Sequence, residues 1–161
     1  MQLSLQQALE RYELSVFRTA FSVCGNREDA EDVCQETFLA YYRSAPDFAG
    51  EEHLRAWLLR TAINKAKNMT RTFWRRNRES LDDYADSLAA APAEDGALLQ
   101  AVLALPKRCR MIMHLFYYEG YSVQEIATLL GIRENTVKSQ LHRGRTLLKQ
   151  QLQEGWNDDE P

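Results

Sequence analysis

Residues Tyr121 to Leu148, YSVQEIATLLGIRENTVKSQLHRGRTLL, constrain the fold more than any other stretch, because they fit two short helices joined by a glycine turn. Ser122 followed by Glu125 is a capping box, which predicts a helix start with Ile126, Leu129 and Leu130 facing inward. Gly131 ends that helix. Glycine takes the left-handed conformation that closes a helix, and Ile132 after it can fill the angle between two packed helices. A second helix is expected from Glu134, where Val137, Leu141 and Leu148 recur at helical spacing. That leaves Lys138, Ser139, His142, Arg143 and Arg145 on or near the outer side. Arginine and lysine bind phosphates or guanine edges, and serine and histidine add hydrogen bonds, all within reach of a helix lying in a major groove. A solvated basic helix in an all-helical bundle would carry the same pattern.

The same periodicity runs through the rest of the chain, with few β-branched runs and no hairpin turns, so the fold class is all-α. Leu9, Tyr12, Val16, Phe17, Ala20 and Phe21 form the apolar stripe of a first helix, interrupted by Gly25 and Asn26. A second has Ala30, Val33, Cys34, Thr37, Phe38 and Tyr41 inward and ends before Pro46. A loop with Phe48 and Gly50 leads to a long third helix from about Glu52 into FWRRNR, with Leu54, Trp57, Leu58, Thr61, Ala62 and Ala66 on one side. After Arg78 the text becomes ESLDDYADSLAAAPAEDG, acidic, alanine-rich and broken by Pro92 and Gly96, which reads as a linker. Helix returns near Ala97 and runs to Leu105, and Pro106 opens the helix carrying Met111, Ile112, Leu115 and Phe116. The expectation is therefore two small helical domains, 1–79 and 97–152, joined by a flexible acidic linker over 80–96 and followed by an acidic tail over 153–161. The helix-turn-helix lies in the second domain.

The net charge of −3 over 161 residues looks wrong for a nucleic-acid binder until it is divided along the chain. Residues 1–50 hold 4 basic and 8 acidic side chains, 51–79 hold 8 and 3, 80–99 hold 0 and 5, 100–150 hold 8 and 3, and 151–161 hold 0 and 4. Two basic blocks flank a segment that nucleic acid would repel. Cys24, Cys34 and Cys109 have no metal-ligand spacing, and an odd number suggests reduced, mostly buried thiols in place of a disulfide framework. His53, His114 and His142 form no ligand pair, so no metal or other cofactor is expected. No run nears the roughly 20 apolar residues of a membrane span, and the first residues lack a signal-peptide pattern, so a cytoplasmic location is expected.

Taken together, DAEDVCQETFLAYYR, the loop DFAG, the helix HLRAWLLRTAINKAKN and LPKRCRMIMHLFYYEGYSVQEIATLLGIRENTVKSQLHRGR resemble the sigma factors of bacterial RNA polymerase, in particular the two-domain extracytoplasmic-function (ECF) group of the sigma-70 family. The resemblance covers about 8–79 and 97–150. It implies that the second helix docks on the clamp helices of core RNA polymerase, and Asp29, Asp32 and Glu36, with Gln35 beside them, form a polar stripe suited to a basic coiled coil. An acidic first turn favouring its own helix dipole would account for Asp29 but not for Gln35 and Glu36. The resemblance also implies that the loop and third helix trap a flipped base of the minus-10 element of promoter DNA. Phe48 would supply a wall, Gly50 the loop, Asn64 and Asn68 edge hydrogen bonds, and Lys67 and Arg71 phosphate contacts. Trp57 fits a core position or a stacking one, as do Phe73 and Trp74. In the second domain, the outer residues of the recognition helix would read the minus-35 element. Family members usually carry alanine between the paired arginines where this chain has Gly144, which either permits closer approach to DNA or weakens the helix end. An anti-sigma factor, often membrane-bound, is the further partner implied.

The implied function is binding core polymerase and directing promoter-specific initiation, with no enzymatic activity of its own. The alternative is a stand-alone helix-turn-helix repressor or activator, dimeric on a palindrome. The first domain argues against it, since an acidic helix beside a basic one serves no evident dimerisation purpose. A nuclease would need clustered carboxylates or a nucleophile with its base, and the sequence offers neither.

Overall fold

Ser4 accepts a hydrogen bond from the Gln7 amide while the Gln7 side chain accepts from the Ser4 amide, so helix α1 (Leu5–Cys24) opens on a capping box that hydrophobic periodicity alone does not reveal. It closes on Gly25 at φ 78°, a left-handed cap. The computed structural model of the chain describes residues 2–44, 47–76 and 96–158, the side chains of 72–76, 96–99 and 154–158 excepted. The other helices are α2 (Arg27–Ser44), α3 (Glu51–Arg76), α4 (Gly96–Leu103), α5 (Lys107–Tyr117), α6 (Val123–Leu130) and α7 (Glu134–Asp158), with no strand among the described residues. The chain is all-α. It divides into two units, Met1–Glu79 and Ser80–Pro161.

In the first unit α1, α2 and α3 pack against one another in all three pairings. The buried face of α2 is Ala30, Val33, Cys34, Thr37, Phe38 and Tyr41, as periodicity predicts. Leu54, Leu58, Leu59 and Ile63 of α3 are fully buried, each worth about 1.5–3 kcal/mol of apolar transfer. The α1 stripe departs from expectation. Ala8, Val16, Thr19, Ala20, Ser22 and Val23 are buried, whereas Leu9, Tyr12, Phe17 and Phe21 are only half-buried. A helix wedged against two others takes small side chains at the line of closest approach, which displaces the bulky ones to its flanks. Burial pushes the Cys34 thiol up to about 11, with Glu13 adding to the effect.

In the second unit α7 is the hub, packed on α4, α5 and α6. Arg110 is buried and donates from a guanidinium nitrogen to the Leu103 carbonyl at 3.0 Å, closing the C-terminus of α4 where cations are favoured. One cation of the second basic block therefore serves the core. The linker expected over 80–96 lies outside the described residues except for Gly96, which begins α4. At the other end α7 continues through Asp158, beyond the boundary expected at 152, and its extension includes Gly155.

Candidate nucleic-acid interface

The turn between α6 and α7 sets the recognition helix. Ser122 and Glu125 exchange side-chain and backbone hydrogen bonds at 3.0 and 3.1 Å to start α6, and Gly131 at φ 68° stops it. The amides of Gly131 and Ile132 both donate to the Ala127 carbonyl, which satisfies the helix end and turns the chain. Arg133 then caps α7, its carbonyl accepting from Thr136 and Val137 at 3.0 and 3.2 Å.

Val137 and Leu141 are buried, as expected, and Leu148 is half-buried. Lys138, Ser139, His142, Arg143 and Arg145 are all exposed. At about 100° per residue, Asn135, Ser139, His142 and Thr146 share the outermost line of α7, with Lys138 and Arg145 on one flank and Arg143 on the other. Asn135 and Thr146, exposed on that line, are absent from the sequence-based set. Their register could have been read from the helical wheel once Val137 and Leu141 were placed inward. Gln140 faces α5, where its side-chain oxygen accepts from the Cys109 thiol at 2.8 Å. Burial raises the Cys109 pKa, against a lowering by the nearby Arg143 charge.

Two α7 residues meet side chains of α5. Gly144 is buried, not turned to DNA, and a Cβ there would lie 2.2 Å from Met113 Sδ and 3.1 Å from Met113 Cγ. Its missing side chain lets α5 approach. Arg145 does not extend freely from the helix. Its Nε donates to Tyr117 Oη, and its guanidinium carbon lies 5.8 Å from the Phe116 ring centre and 5.6 Å from that of Tyr117.

In the first unit, Asn64, Lys67, Asn68 and Arg71 are exposed at spacings of three and four on α3, opposite Ala62, Ile63, Ala66 and Thr70. Arg71 donates to Asn68 Oδ1 at 3.3 Å. Arg60, exposed one turn earlier, extends the stripe and was not anticipated. Phe48 does not present the wall expected of it. Only 3% exposed, it stacks on Tyr41 at 6.2 Å and meets Trp57 and His53 edge-on at 5.8 and 5.2 Å. An apolar ring this close to three others gains more from the core than from solvent. Trp57, half-buried against Phe48 and Tyr41, takes the packing role of its two alternatives. Phe73 and Trp74 lie outside the described side chains. The Ala49 amide donates to His53 Nδ1 at 3.1 Å and the Gly50 carbonyl accepts from Leu54 at 3.1 Å, so the loop is fastened to the start of α3. Gly50 is half-buried, and a Cβ on it would meet nothing within 4 Å.

On α2, Asp32, Gln35 and Glu36 are exposed, and Leu39 and Tyr42, 46% and 67% exposed, continue the same side. Asp29 is drawn elsewhere. Its carboxylate accepts from Asn26 Nδ2 at 2.8 Å and its amide donates to Asn26 Oδ1 at 2.9 Å, which makes it part of the N-terminal cap.

The two units match two family models. Residues 8–79 match sigma-70 region 2, and 95–148 match sigma-70, region 4. The ECF RNA polymerase sigma factor SigL of Mycobacterium tuberculosis is 34% identical over 161 residues, covering 94% of this chain and 90% of its own length. The chain is an ECF sigma factor. A second ECF relative, SigE of Mycolicibacterium smegmatis, is also 34% identical, over 162 residues and 92% of this sigma factor, which spans 62% of the longer SigE. The fold agrees with the sigma factor RpoE of Bartonella quintana, solved with the anti-sigma factor NepR, at TM-score 0.74, 23% identity and coverage of 92% and 96% of the two chains. CnrH, solved with the cytosolic domain of CnrY, gives TM-score 0.65 at 24% identity, covering 97% of this sigma factor and 89% of CnrH. No helix among the described residues is long and apolar enough to cross a membrane.

Proposed function

We propose that this sigma factor binds core RNA polymerase through the exposed side of α2 and directs it to promoters that its two units read separately. Asp32, Gln35 and Glu36 would face the polymerase, with Asp29 fixing the start of the helix that carries them. Asn64, Lys67, Asn68 and Arg71 would hold the non-template strand of the opened minus-10 element, on a loop that Phe48 and Gly50 shape from within. Lys138, Ser139, His142 and Arg143 would read the minus-35 duplex. The protein would act in the cytoplasm and perform no reaction itself; the polymerase does the chemistry. By analogy with RpoE, solved with the anti-sigma factor NepR, an anti-sigma factor is the expected inhibitor.

The observation that carries this reading is that region 2 and region 4 occur in order in one chain, each with its polar stripe exposed. A stand-alone regulator needs only the second unit and gives α2 and α3 nothing to do. Run-off transcription with purified core polymerase tests the proposal. Specific transcripts should appear only when both are present, and tight promoter binding by the free chain without any transcript would support the regulator instead.

A further inference from the structure

The Gly144–Arg145 pair on α7 fits the Met113, Phe116 and Tyr117 side of α5 as one device. The Phe116 and Tyr117 rings meet edge-on at 82° with centres 5.0 Å apart, and the Arg145 guanidinium packs against both while donating to the Tyr117 hydroxyl. Met113 and Tyr117 are one helical turn apart. The missing Cβ of Gly144 that admits Met113 therefore also brings Tyr117 within reach of the next residue, Arg145. Seven residues separate Arg145 from Lys138, about two turns, so both lie on the same flank of α7. A free arginine there would be a natural phosphate contact. Here its Nε–H is committed to the Tyr117 hydroxyl and its face lies on two rings, which holds the guanidinium against α5.

We propose that Arg145 is a positioning residue which, with Tyr117, latches the recognition helix to α5 and does not itself contact DNA. The proposal rests on α7 reading promoter duplex. Its chemistry sets it apart from a phosphate contact in two ways. A phosphate accepts lysine as a point charge, whereas the latch needs the planar guanidinium and its Nε–H. Losing a phosphate contact also lowers the salt dependence of binding, which loosening a helix does not.

The test measures promoter binding by holoenzyme across a salt series, using Arg145→Ala, Arg145→Lys, Tyr117→Ala and the double alanine variant, each checked for helix content by circular dichroism. Arg145→Ala and Tyr117→Ala should each weaken binding about three- to ten-fold. The double variant should be no worse than the weaker single one, Arg145→Lys should fail to restore binding, and the salt slope should stay at the wild-type value. A slope reduced by about 0.9 in Arg145→Ala, restored by lysine and with Tyr117→Ala without effect, would overturn the proposal in favour of a phosphate contact. Thermal unfolding of the free wild type, the two single alanine variants and the double alanine variant gives a double-mutant cycle that needs no DNA. Coupling between Arg145 and Tyr117 is expected there, and strict additivity would equally overturn the latch. If wild-type holoenzyme fails to bind promoter duplex, the functional reading fails, while the unfolding cycle still decides whether the latch exists.

Discussion

Glycine inside a helix costs about 1 kcal/mol against alanine, so propensity alone expects Gly144→Ala to stabilise the protein. Met113 reverses the sign. An added Cβ would meet Sδ at 2.2 Å and Cγ at 3.1 Å, so the methionine must change rotamer in a packed interface, at about 1–3 kcal/mol. Thermal unfolding should show Gly144→Ala less stable by about 1 kcal/mol, the difference between these terms; a stabilised variant would mean that Met113 swings clear without cost. Arg143 and Lys138 differ by position, not by burial. Five residues apart, they are separated by about 140° around α7 and cannot share one narrow stripe. Arg143→Ala should relax base preference in the minus-35 element at a cost of about 1–3 kcal/mol, and Lys138→Ala should lower affinity more evenly across sequences and reduce the salt slope. Randomised minus-35 libraries transcribed by each holoenzyme would show the roles reversed if it is Lys138→Ala that changes the preferred sequence.

Along α2, two sets of acidic residues that look alike in sequence do different work. Asp29 belongs to the cap with Asn26, whereas Asp32 and Glu36 stand exposed one and two turns on. Reversing Asp32 and Glu36 to lysine should therefore weaken retention on core polymerase while leaving helix content unchanged, since exposed charges register an interface but add little stability. Asp29→Ala should do the opposite, lowering stability by about 0.5–1 kcal/mol and leaving polymerase retention intact. Equal retention by the lysine variant and wild type would make the stripe a solvated face. The exposed side of α3 calls for a different experiment, because its proposed ligand exists only after the duplex opens. Asn64→Ala should reduce permanganate-reactive thymines at the minus-10 element more than it reduces promoter recruitment. Equal losses in both assays would point to a packing role, against the exposure of that side chain.

Across the whole chain, the basic blocks at 51–79 and 100–150 are each small, and the acidic block at 80–99 lies between them. Arg110 is spent on closing α4, so the second block carries less charge to DNA than its composition indicates. The free protein should accordingly bind promoter duplex weakly and with a shallow salt dependence, and core polymerase should convert this to specific binding. Electrophoretic mobility shifts with and without core enzyme would expose the contrary case, in which the chain alone binds as tightly as holoenzyme.

Local chemistry made much of this legible before any coordinates. Capping at Ser122 and Glu125, the left-handed glycine at 131 and the inward residues of α2 depend on neighbours within a few positions, and they stand where periodicity places them. The order of motifs was likewise enough to reach the family. Tertiary structure alone decided that small residues of α1 line its buried face while Leu9, Tyr12, Phe17 and Phe21 stay at its flanks, because that depends on how closely α2 and α3 approach it. It also moved Phe48 from a presumed binding surface into an aromatic core, and set Gly144 and Arg145 against side chains of α5. In each case the partner lies on a different element, as Tyr41 and Trp57 do for Phe48 in its loop and Met113 and Tyr117 do for the α7 pair. Spacing along one helix fixes which side chains share a face, and only the neighbouring helix determines whether that face meets solvent, DNA or protein.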